Sequence, residues 1–171
     1  MDFDLTGVVA ELSAPVGRGE RIRLAHPGGE FLAIDESFNA NPASMRAALA
    51  TLATVDTPGR RIAVLADMGE LGELGPRAHV ELADAVAASR ADVVFAAGPL
   101  MRGLWDALPA KLRGVYAASA AELEPAVLEA ILPGDTVMVK GSKYTQVSKI
   151  VAALKSRYEQ AVAAATTSGR G

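Results

Sequence analysis

The sequence predicts an α/β fold: a Rossmann-like open mixed sheet, mostly parallel, with helices on both faces and an N-terminal antiparallel hairpin. Three observations predict it. Short apolar runs at residues 31–34, 61–66, 92–96, 115–117 and 136–139 have the length of buried strands. Between and after them, apolar residues recur every three or four positions, the period of a helix packed on one face. Strands alternating with crossover helices imply parallel neighbours and right-handed connections. Ahead of these units, Ile22-Arg23-Leu24 and Phe31-Leu32-Ala33-Ile34 flank His26-Pro27-Gly28-Gly29, which reads as a hairpin adding one antiparallel edge.

The chain has 171 residues, enough for one domain with a full core and short appendages. No apolar run approaches the roughly 20 residues of a membrane span, and no charged segment followed by an apolar one reads as a signal peptide. Membrane insertion is not expected. Cysteine is absent, which excludes disulfides and thiol catalysis and fits a reducing cytoplasm. The net charge of −3 comes from interspersed charges, so no basic stripe points to nucleic acid. A monomer is expected.

In chain order, Leu5, Val8, Val9 and Leu12 suit a short helix that stops at Ser13-Ala14-Pro15. Gly17-Arg18-Gly19-Glu20-Arg21 reads as a flexible joint carrying cations. Pro27 ends the first hairpin strand, and His26 is expected in the exposed turn. Asn41 caps the first crossover helix, Pro42 takes its first position, and Met45, Ala48, Leu49, Leu52 and Ala53 form its apolar face. Residues 76–89 predict a single helix with Val80, Ala83, Val86 and Ala87 inward. Met101, Leu104, Trp105 and Leu108 form the next face. Ser119 and Glu122 make a capping box for a helix burying Leu123, Val127, Ala130 and Ile131, stopped by Pro133-Gly134-Asp135. The last helix buries Val147, Ile150, Val151 and Leu154. The division expected is a lead-in at 1–16, the domain at 17–160, and a disordered tail at 161–171.

Three polar stretches leave strand ends: Asp35-Glu36-Ser37-Phe38-Asn39-Ala40-Asn41-Pro42, then Asp67-Met68-Gly69-Glu70-Leu71-Gly72, then Lys140-Gly141-Ser142. Open α/β sheets bind ligands at the carboxyl ends of their strands, and helix N-termini there favour anions. The first strand is not followed by Gly-x-Gly-x-x-Gly, which disfavours NAD. The second stretch lacks a following Gly-Lys-Ser/Thr, so it is not a Walker loop. Read alone, each stretch is also compatible with an ordinary turn.

The string Asp-Glu-Ser-Phe-Asn-Ala-Asn-Pro-Ala-Ser-Met at 35–45 resembles a signature of the Mur ligases, the ATP-dependent amide-forming enzymes of peptidoglycan synthesis. Phe38 stands where the family usually has Tyr. The segment at 67–72 resembles the family's Gly-Asp-Met-x-Glu-Leu-Gly, with Ala66 replacing the first glycine, and Val-Lys-Gly-Ser at 139–142 is similar to its last strand ending. The similarity runs over about residues 4–154 and is greatest to members that add D-alanyl-D-alanine to UDP-N-acetylmuramoyl-tripeptide.

The resemblance implies a C-terminal domain that closes on ATP and presents the dipeptide. The phosphate loop, the Mg²⁺ ligands and the uridine-nucleotide domain would lie elsewhere. No metal ligand is expected here, no cofactor should bind tightly to this chain, and the chain is expected to begin at a domain boundary and to be inactive alone. By resemblance, Arg18 and Arg21 would reach nucleotide phosphates. Either Asp35 or Glu36 would take the acidic position near the nucleotide. Asn39 and Asn41 would hydrogen-bond the nucleotide or dipeptide, and Phe38 would stack on the substrate. Asp67, Glu70 and Ser142 would line the substrate rim, with Lys140 as electrostatic helper. Two other readings are a folylpolyglutamate synthetase-like domain, which carries a histidine-containing turn in place of Asn-Ala-Asn-Pro, and a non-catalytic nucleotide-binding module.

Overall fold

A computed structural model describes residues 14–168, with side chains described to Glu159. The helix expected within residues 1–12 lies outside the described residues. Strands β1 (Glu20–His26) and β2 (Gly29–Glu36) form the predicted hairpin around Pro27-Gly28, pairing Glu20 with Asp35 and His26 with Gly29. Then follow α1 (Pro42–Thr54), β3 (Arg61–Ala66), α2 (Gly75–Val80), α3 (Ala83–Ala88), β4 (Val93–Ala97), α4 (Met101–Ala107), β5 (Arg113–Ala117), α5 (Ala120–Ala130), β6 (Thr136–Lys140) and α6 (Ser148–Ser168).

The six strands form one sheet in the order β1-β2-β6-β3-β4-β5, antiparallel between β1 and β2 and parallel elsewhere. The last strand in sequence thus enters between β2 and β3. Alternation sorts the side chains into two cores. Ile62, Val64, Val137 and Val139 meet Leu123, Val127, Ile150 and Leu154 of α5 and α6. Ala63, Leu65 and Met138 meet Met45, Leu49, Val86 and Leu104 of α1, α3 and α4.

Three local expectations change. The single helix expected over 76–89 is two, because Leu82 N–H bonds back only three residues, to His79 O. That tighter step re-phases the helix. His79, Leu82 and Val86 therefore point inward, and Val80 and Ala87 outward. His26 is not in the turn. It ends β1, half-buried, stacked on Tyr158 and 3.1 Å from Ile131 O. Lastly, α6 continues to Ser168, through most of the stretch expected as a tail. Its alanines at 163–165 favour helix.

At the amino ends of the strands, Asp135 is buried and organises the entry to β6. Its carboxylate accepts from Arg60 N (3.0 Å), Arg60 Nη2 (2.6 Å) and Leu132 N (2.9 Å). Arg60 also donates to Ala130 O at the end of α5. Asp135→Ala is expected to cost about 3 kcal/mol, the low end for breaking a buried pair, because Arg60 keeps some solvent contact. Denaturant melts check it, and a loss below about 1 kcal/mol, the scale of one ordinary hydrogen bond, would remove Asp135 from this role.

Candidate functional site

The register of β2 against β6 sets Glu36 beside Lys140 at the carboxyl end of the sheet. Ile34 and Met138, two positions before each, face α1, so alternation aims both Glu36 and Lys140 at the N-terminus of that helix. Asp35 takes the opposite phase. It is buried, and one oxygen accepts from the Ser37 backbone and hydroxyl. Of the two adjacent acids, Glu36 lines the cleft and Asp35 braces the turn behind it.

Lys140 is 3% exposed, and its Nζ donates to Asn39 O at 2.8 Å and lies 3.8 Å from Glu36 Oε2. Burial pushes the Lys140 ammonium below its ordinary range, with Glu36 partly opposing the shift. Burial pushes the Glu36 carboxyl up, with Lys140 pulling it down and Asp35 adding to the rise. Desolvation therefore outweighs the attraction on both sides, as expected for a buried charge with few partners.

The start of α1 is fixed by a reciprocal cap. Asn41 Oδ1 accepts from Ser44 N at 2.8 Å, and Ser44 Oγ accepts from Asn41 N at 3.0 Å. That geometry commits the Asn41 oxygen and leaves its amide N–H₂ for the cleft. The cleft, about 270 Å³, is lined by Gly17, Arg18, Glu36, Phe38, Asn39 and Lys140, together with Asn41 and Ser44.

The joint expected at 17–21 is held to the domain. Phe38 N donates to Gly17 O at 3.0 Å and Gly19 N to Asp35 O at 2.8 Å. The Arg18 guanidinium lies 4.1 Å from the centre of the Phe38 ring. Arg21 is exposed on β1 and does not line this cleft.

A second cleft, about 450 Å³, opens on the other side of Phe38 and Asn39 and takes in Glu70, Ser142, Lys143 and Tyr144. Its wall is the 67–75 loop, which is pinned. Ser142 N donates to Asp67 O (3.0 Å), and Met68 N donates to His79 Nε2 (2.9 Å). Since His79 Nε2 accepts, its Nδ1 carries the proton and donates to Gly75 O at 2.6 Å. Glu70 stands exposed with φ of 60°. Asp67 turns away from Glu70, and its carboxylate accepts from Leu100 N (3.2 Å) and Met101 N (2.8 Å) at the start of α4. Gly98 follows from that contact: its φ is 110°, and a Cβ there would run into the Asp67 carboxylate.

The structure thus brings Arg18, Glu36, Phe38, Asn39, Asn41, Glu70, Lys140 and Ser142 to one end of the sheet. Sequence reasoning missed His79, Lys143 and Tyr144. A lone histidine in a helix carries no spacing signal, and the two residues after Ser142 read as the start of the last helix rather than a 3-10 turn at Lys143–Thr145.

Residues 17–143 match the family described as Mur ligase, glutamate ligase domain. The chain belongs to the Mur ligase family. It is 33% identical over 149 residues to UDP-N-acetylmuramoyl-tripeptide–D-alanyl-D-alanine ligase of Escherichia coli (strain K12), covering 86% of this chain and 31% of that one. The crystal structure of MurF from Acinetobacter baumannii is similar with a TM-score of 0.69 at 28% identity, over 81% of this chain and 30% of that one. MurF ligase from Thermotoga maritima, solved in complex with ADP, shares the fold with a TM-score of 0.69 at 22% identity, over 88% of this chain and 33% of its own. The chain spans about a third of the length of these relatives. The mixed sheet with its N-terminal hairpin is the fold of this Mur ligase domain.

Lys140 gives a signed pH prediction. The unfolded chain holds the Lys140 proton up to about its ordinary value of 10.5, the folded chain only to a lower one. Between the two the unfolded state binds more protons, so stability rises with pH there. In denaturant melts taken across that alkaline window, the original protein should gain on Lys140→Met as pH rises. A difference independent of pH would show that Lys140 keeps its ordinary affinity for the proton.

Proposed function

We propose that this chain is the C-terminal domain of an ATP-dependent, ADP-forming ligase that joins D-alanyl-D-alanine to UDP-N-acetylmuramoyl-tripeptide in peptidoglycan synthesis. The observation that carries the reading is convergence. The three stretches that resemble the family signature come together around two adjoining clefts, on a chain 33% identical to the Escherichia coli ligase of that name. A ligase acting on ATP and a nucleotide-linked precursor works in the cytoplasm.

In this reading the first cleft takes nucleotide and the second takes dipeptide. The substrate carboxylate attacks the γ-phosphate to give an acyl phosphate and ADP. The dipeptide amine then adds to the acyl carbon, and phosphate leaves. Both steps crowd anions, so cations and fixed donors are what a closing domain can contribute. Arg18 offers a planar fork to phosphate oxygens. Glu36 accepts from ribose hydroxyls, the free amide of Asn41 donates to the nucleotide, and the Phe38 ring stacks. Lys140 holds positive charge under Asn39 and Glu36. Arg21 and Asp67 are weaker candidates, the first because it stands off the cleft and the second because both its oxygens already accept backbone N–H groups.

Among the described residues no group of three or more His, Asp or Glu side chains is placed to hold a metal. Mg²⁺ neutralises the triphosphate in such reactions, and no step here is assigned to it.

Two measurements test the proposal. With ATP, Mg²⁺, the UDP-tripeptide and D-alanyl-D-alanine, this chain alone should release no phosphate above background, and the protein extended by the family's preceding domains should turn over. Turnover by the chain alone would contradict the division of labour, and failure of the extended protein with this dipeptide would end the substrate assignment. Second, Asn41→Asp keeps the capping oxygen but removes the amide donor. Stability should change by less than about 0.5 kcal/mol, since both residues cap well. In the extended enzyme the KM for ATP should rise about tenfold, the scale of one lost hydrogen bond in a site. An unchanged KM would make Asn41 a cap only.

A further inference from the structure

Beyond the two clefts lies a third, about 190 Å³, at the ends of β4 and β5. It sits at a switch in the sheet: β4 leads to α4 on one face, and β5 leads to α5 on the other. Such crevices open where neighbouring strands send the chain to opposite faces. Its walls are small and mostly apolar, with Ala97, Gly98, Pro99, Ala118 and Ala120 among them. Tyr144 lines this cleft and also the 450 Å³ cleft that holds Glu70, Ser142 and Lys143. It is therefore the partition between them.

The partition is lightly held. Tyr144 is 63% exposed, and its hydroxyl reaches Met68 O only at 3.5 Å. Its ring lies on Gly69, where an added Cβ would come within 3.2 Å of it. Beside it, Ser142 Oγ is buried in the wall of the larger cleft without a hydrogen-bond partner. A buried hydroxyl one bond short is a point a ligand can satisfy, and Lys143 adds a cation next to it. A terminal carboxylate suits both.

We propose that Tyr144 limits the side chain of the dipeptide's C-terminal residue, by closing the way from the larger cleft into the apolar one at the ends of β4 and β5. The inference rests on the ligase reading above. A dipeptide whose carboxylate is held at Ser142 and Lys143 has its last side chain next to the Tyr144 ring. A methyl group fits against that ring. A larger apolar group needs the space beyond it.

The test titrates the ¹⁵N-labelled chain with D-alanyl-D-alanine and with D-alanyl-D-phenylalanine, following amide shifts at Glu70, Ser142 and Gly98. The original chain should prefer the smaller dipeptide. Tyr144→Ala should narrow that preference about tenfold, the scale at which a pocket reads side-chain size, with new shifts at Gly98. Tyr144→Phe, which keeps the ring, should behave as the original. The spectra report folding of each variant directly. If D-alanyl-D-alanine binds but Tyr144→Ala leaves the preference unchanged, Tyr144 is not the limit although the dipeptide site stands. If neither dipeptide shifts the original chain at millimolar concentration, the dipeptide site fails and the inference with it.

Discussion

Every residue of β6 from Thr136 to Lys140 is buried, and the strand pairs with β2 on one side and β3 on the other. It is made last and sits in the middle, so the sheet is closed only when residues a hundred apart have met. The site depends on the same event. Lys140 Nζ reaches back 101 residues to Asn39 O, and Ser142 N reaches Asp67 O. Those two bonds hold the stretch before α1 and the loop after β3 to the end of one strand. Neither stretch owes its place to local structure alone, and contacts of such long sequence separation form late and together.

The same strand carries the main cost in the site. Val137, Met138 and Val139 satisfy a buried central strand, and Lys140 does not. One carbonyl at 2.8 Å and one carboxylate at 3.8 Å are thin compensation for an ammonium removed from water. Destabilised charges of this kind gather at functional sites, where they act on developing charge in a ligand rather than on the resting fold. Asp135, at the other end of β6, is the contrast. It has three backbone or guanidinium donors within 3.0 Å, as a structural charge should.

The fold was legible because its signals are periodic. Five apolar runs at strand length, the hairpin ahead of them and the helical stripes between them gave each of the six strands and the helices save the break between α2 and α3. The register that decides between Asp35 and Glu36 was not legible, since a strand presents consecutive residues to opposite faces and the sequence does not name the faces. The structure separates them through Ser37, whose hydroxyl and N–H occupy Asp35. Asp67 shows the same limit: its sequence neighbours placed it on a rim, whereas its hydrogen bonds belong to α4, more than thirty residues on. His79 was illegible for a different reason. Its role is to accept one N–H and donate to one carbonyl across a loop, and that leaves no pattern in residue type.

The N-terminal turn is the place where flexibility was read from glycine and order was found. Gly17 has φ of 75°, and a Cβ there would lie 3.0 Å from the Phe38 backbone nitrogen. Both glycines are spent on that close approach and on two backbone hydrogen bonds to the β2 end and the turn beyond it. Arg18 is thereby carried on the domain, with its charge over the Phe38 ring, a contact that uses the ring face and so needs no hydroxyl. Phe in place of the family's usual Tyr keeps this stack intact. Arg18 is thus part of the cleft wall, and its reach is set by release from one aromatic face rather than by freedom of the backbone.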